Sequence, residues 1–152
     1  MVYSTAQAQQ EMLDEIAIAG DDVAVALADL MEAYELLDDP TADRLEGELF
    51  KPLQLASGRL KRTVSGFAER HDLSARPPAE AVPGSPHHGA RGFLDRAEVA
   101  AVKADTRLAE LQDTLRPVEI GDGELRDGLS EVRRLLGEVP GRARVFLRTL
   151  GR

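Results

Sequence analysis

In 152 residues the chain carries 43% hydrophobic side chains but only four Phe, two Tyr and no Trp, and its 27 acids outnumber 19 bases for a formal charge of −8. That length fits one domain with one core, and a core of Leu, Val, Ile and Ala suits packing between helices. The absence of Cys excludes disulfides and thiolate chemistry, and no apolar run approaches the roughly 18 residues that a membrane span needs.

Met1 to Gln10 lack the basic segment and apolar run of a secretory leader, so a cytoplasmic protein with no membrane association is expected. Charge is segregated along the chain. Residues 1–50 hold thirteen acids and the single base Arg44, a net −12, which leaves +4 on the remainder. This split predicts complementary helices packing within one bundle, with an acidic docking surface as the alternative.

The first helix is predicted from Ser4 to Asp38, with Leu13, Ile16, Val23, Leu27, Leu30, Tyr34 and Leu37 as its buried stripe. The repeat Ile16, Val23, Leu30, Leu37 has coiled-coil spacing and keeps phase through Gly20, so a continuous helix is expected there and a turn at Gly20-Asp21-Asp22 is the alternative. Asp39-Pro40 ends it. A second helix follows from Thr41 to His71, with Leu45, Leu49, Leu53, Ala56, Leu60, Val64 and Phe67 inward. Pro52 falls inside that line and predicts a kink near Glu48 to Lys51, because it lacks a donor and crowds the preceding turn.

Ser74 to Gly92 contains Pro77, Pro78, Pro83 and Pro86 with Gly84, Gly89 and Gly92, and reads as a flexible linker. A third helix is expected from Phe93 to Leu115, with Leu94, Ala101, Leu108 and Leu115 at seven-residue spacing and Ala97, Ala104 and Leu111 between them. The fourth begins near Asp122, buries Leu125, Leu129, Val132, Leu136 and Val139, and keeps its phase beyond Pro140 through Ala143, Phe146 and Leu150, as either a helix bent near Gly137 and Gly141 or two short coaxial ones. The fold class is therefore all-α: an antiparallel bundle of about four long helices, with hairpins at residues 1–73 and 93–152 joined by the Pro/Gly-rich linker at 74–92.

Motifs that carry chemistry are few. No GxxxxGK[ST], HExxH, GxSxG or complete EF-hand loop occurs. Di-metal bundles use Glu-x-x-His pairs on facing helices, but Ala68, Gly84 and Ser85 stand three before His71, His87 and His88. No metal or cofactor is expected, and His71 reads as a cation at a helix C-terminus. Glu11-x-x-Asp14 and Glu35-x-x-Asp38 resemble the Glu-x-x-Asp element of the all-helical MazG-like nucleotide pyrophosphohydrolases, a likeness confined to these short segments. It implies a metal-dependent hydrolase, although the family's partner Glu-Glu-x-x-Glu string is missing. Against the stripe of helix one, Glu11, Asp14 and Glu32 point outward, while Glu35 and Asp38 flank it.

Arginine clusters on late helix two (Arg59, Arg62, Arg70, with Lys61) and on helix four (Arg133, Arg134, Arg142, Arg144, Arg148, Arg152) give nucleic-acid binding as another alternative. The net negative charge and the scarcity of aromatic stacking residues argue against it. Four apolar residues lie off the stripes, Ile18 and Val25 on helix one and Val99 and Val102 on helix three, and form the candidate interaction surface for a homo-oligomer or a protein partner. A non-catalytic interaction or structural module is the reading this favours over an enzyme.

Overall fold

A computed structural model describes residues 4–77, 79–85 and 89–150, which are overwhelmingly helical with no strand among them. Helix α1 spans Thr5–Glu35. Ser4 opens it with a capping box, its hydroxyl accepting from the Gln7 amide while the Gln7 side chain accepts from the Ser4 amide. The helix runs unbroken through Gly20, as the preserved phase predicts. Its innermost line is Met12, Ile16, Ala19, Val23, Ala26, Leu30 and Ala33, spaced alternately by four and three. Small residues recur at every second step of that line, and the helix that α1 contacts most likewise buries Ala97, Ala101 and Ala104.

The second rod is α2 (Asp39–Leu45), a π-helical turn (Glu46–Phe50) and α3 (Lys51–Arg70) in one continuous run. Asp38 caps it by accepting from the Thr41 amide, with Pro40 in the first turn. At the other end of α2 the Lys51 amide reaches back five residues to the Glu46 carbonyl. The wider turn makes room for the Pro52 ring, so the expected distortion takes the form of a π-turn and the helix does not end.

The connection at 71–88 turns at His71 and Asp72 (φ 55°), has no regular secondary structure over its remaining described residues, and climbs along α1 in the same direction as that helix. Ser74 exchanges two hydrogen bonds with the Gln10 amide. Further on, Asp21 takes Arg76 and the Ala79 amide, and Asp29 takes the Gly84 amide at 2.7 Å. The linker that composition marks as flexible is thus tied to α1 at three heights. Helix α4 then begins at Gly89, four residues before the expected Phe93, and runs to Asp113. After a left-handed Leu115 (φ 65°) come the single turn α5 (Arg116–Glu119) and the last helix α6 (Gly123–Leu150), which passes Pro140 without ending.

Helix α1 packs on α3 and α4, and α6 packs on the same two, so α1 and α6 occupy one diagonal of a square. Every neighbouring pair is antiparallel. Asp22 meets Arg107 while Asp29 meets Arg96, Asp105 meets Arg133 while Leu147 meets Arg91, and Asp122 meets Arg70 while Glu48 meets Arg142. The upward return of the connection is what lets α3 and α4 run the same way on the other diagonal. Between α3 and α6 the backbones come close at Gly128, where an added Cβ would collide with Thr63.

Candidate functional site

The four outward residues singled out by the sequence part company in the fold. Val99 (66% exposed), Val102 (42%) and Ile18 (41%) are open to solvent, the last beside Arg107, Leu108 and Leu111 in the outer α1–α4 groove. Val25 is half-buried and packs against the core. Its place accounts for this: Asp21, Val25 and Asp29 stand at i, i+4 and i+8, and the connection crosses that stripe between its bonds to the first and the last.

A different exposed apolar group gathers at the tip of the first hairpin. Met31 (58%), Leu36 (56%) and Tyr34 (39%) are exposed, and Met31, Tyr34, Glu35, Glu46 and Phe50 line a groove of about 210 Å³. Tyr34 belongs to the buried stripe expected from the sequence. In the fold α1 stops at Glu35 and the chain turns away through Leu36, so Tyr34 has no facing helix to cover it. Residues 31–50 hold seven acids and only Arg44, which is paired with Glu48 and lies over the Phe146 ring. Among the described residues neither Glu35 nor Glu46 has an ion-pair partner, and no cation lines the groove.

The carboxylates that resemble a metal-dependent element are spread apart by function. Asp38 is the cap of α2, and the Thr41 hydrogen bond holds its carboxyl below the ordinary range; Asp14 accepts from Gln10. Among the described residues no group of three potential metal ligands converges, and His87 and His88 lie outside them. His71 closes α3, its ring against Phe67 and its Nε2 2.9 Å from Asp122. Asp122 also takes two hydrogen bonds from Arg70 and caps α6 through the Leu125 amide, so that chiefly the Arg70 guanidinium keeps its carboxyl well below the usual range.

Many arginines that suggested phosphate binding are engaged with carboxylates: Arg133 with Asp105, Arg134 with Glu131 and Glu138, Arg142 with Glu138, and Arg70 with Asp122 and Glu124. The acidic α1 is answered in the same way by Arg76, Arg96, Arg107 and Arg116, the last on Glu15. The acids of α1 pair across to α4, α5 and the connection, while Arg134 and Arg142 pair within α6.

A second concavity, of about 350 Å³, opens between α1, α3 and the start of the connection. Ile16, Ala17, Gly20, Leu60 and Val64 form its floor, and Ala75, Arg76 and Pro77 its outer wall. Along one edge Ser57, Lys61 and Ser65 stand at i, i+4 and i+8 of α3. None of these three makes a side-chain hydrogen bond or ion pair with the described residues. In the sequence Lys61 reads only as part of a basic cluster; the i, i+4, i+8 spacing of three donors is the signal that could have found the edge.

No protein-family model, curated protein or solved structure matches the chain.

Proposed function

We propose that this chain is a non-catalytic interaction module that docks a partner on the tip of its first hairpin. The observation that carries the reading is the groove at exposed Met31 and Tyr34 and half-buried Phe50, beside two carboxylates without ion-pair partners among the described residues. Exposed apolar groups rimmed by one sign of charge favour a partner that offers an apolar anchor flanked by Lys or Arg. The rim charges would steer the encounter, and the buried anchor would supply the affinity.

The test is affinity capture from the native host with the wild-type chain and with the Met31→Glu, Leu36→Glu double variant. A protein retained by the first, lost by the second and released by salt supports the reading. Equal retention by both overturns it. Self-association is the second form of the same reading, favoured by the exposure of Val99 and Val102 on α4.

A further inference from the structure

The cleft between α1, α3 and the connection joins an apolar floor to a polar edge. The edge consists of two hydroxyls and an ammonium at successive turns of α3. Helical hydroxyls ordinarily return their proton to the carbonyl four residues earlier, as Thr63 does to Arg59 at 2.8 Å on the same helix. Ser57 and Ser65 make no such bond. Exposed Lys61 and Ser65 and half-buried Ser57 are three donors without protein partners among the described residues at the rim of an apolar floor, and the Arg76 guanidinium of the outer wall is already held by Asp21.

Gly20 adds an independent observation. A glycine inside a 31-residue helix weakens it relative to alanine. Packing does not demand one here: an added Cβ would sit 3.5 Å from Leu60 Cδ2, an ordinary contact. What the missing side chain provides is depth in the floor of the cleft.

We infer that this cleft binds an anionic amphiphile, a medium-chain fatty carboxylate of roughly ten carbons, sized to the lower end of ordinary ligand pockets. The acyl chain lies over Gly20, Ile16, Leu60 and Val64. Its carboxylate takes Lys61, with Ser57 and Ser65 on either side to donate to the oxygens. The inference is independent of the hairpin-tip reading, because the two concavities share no residue.

Titration calorimetry with decanoate, decanol and inorganic phosphate tests it on the whole chain. Decanoate is expected to bind one site, phosphate alone not at all. Lys61→Gln should weaken decanoate by about tenfold or more, the value of a charge-assisted hydrogen bond, and leave decanol unchanged. Gly20→Leu, which fills the floor with a good helix former, should abolish binding of both while circular dichroism stays the same. Decanoate binding that survives Gly20→Leu would reveal unspecific adsorption and overturn the proposal, as would phosphate binding as tightly as decanoate or no decanoate binding by the wild type. If Gly20→Leu fails to fold, the Lys61→Gln contrast between decanoate and decanol decides alone.

Discussion

Two glycines in helix interiors carry opposite meanings. At Gly20 a methyl group finds van der Waals contact with Leu60, so Gly20→Ala should stabilise the protein by about 0.5–1 kcal/mol through helix propensity and a less free unfolded chain. At Gly128 the same methyl would run into Thr63, and Gly128→Ala should destabilise by about 1–3 kcal/mol as overpacking does. Urea melts of the two variants check both signs. Equal effects would mean that the α3–α6 contact relaxes freely.

Asp122 supplies the pH dependence at this scale. Its folded-state pKa is depressed, chiefly by Arg70, so its contribution is fully present above the unfolded value near pH 4 and is lost as pH falls below that. Asp122→Ala should cost about 1–2 kcal/mol at pH 7, since it removes a helix cap and a bidentate partner at once. The gap between wild type and variant, measured by denaturation at pH 7 and at pH 3, should narrow on acidification. A gap that widened would give the stabilisation to some other group.

At the level of elements, spacing makes the long helices legible, because an apolar residue at every turn is what a helix with one buried face requires. The continuity of α1 and the distortion before Pro52 are readable for the same reason. The connection is not. Its anchors are single polar side chains on a distant helix: Asp21 and Asp29 look like two more acids on an acidic face, and nothing in Gly84 or Ala79 announces that its amide will seek one. The small half of the α1 core line is equally hidden, since Ala19, Ala26 and Ala33 carry little hydrophobic signal while Tyr34 carries much. Burial there follows from how closely α4 approaches, which is a property of the pair of helices.

Asp29 is the most deeply buried of these anchors, with Gly84 on one oxygen and Arg96 of α4 3.4 Å from the other, which has no hydrogen-bond partner among the described residues. Asp29→Ala leaves the Gly84 amide without its acceptor and uncovers the neighbourhood of Val25. Limited proteolysis of the wild type should cut first within residues 74–88, the segment with the least to bury, and in Asp29→Ala those cuts should come several-fold faster with no change in their positions. Cuts appearing first inside α1 or α4 would mean instead that the carboxylate supports the bundle as a whole.

Across the whole molecule Glu15, Asp21, Asp22 and Asp29 of the acidic first third pair with arginines of the remainder, and the surface left over decides how the bundle meets other chains. Burying a large apolar side chain against a partner is worth about 1.5–3 kcal/mol, so self-association should run through residues that are open and not already covered. Val25 is excluded by that criterion, because the connection takes the space that a partner would need, and a charge placed there would disturb the fold. Val99 and Val102 meet it, projecting from α4 away from α1. If the chain forms a homo-oligomer by this face, Val99→Glu with Val102→Glu should lower the mass measured by light scattering and leave the helical signal and the melting temperature of the monomer intact. A wild-type chain that is monomeric at high concentration would rule out this interface and leave the hairpin tip to bind a different protein.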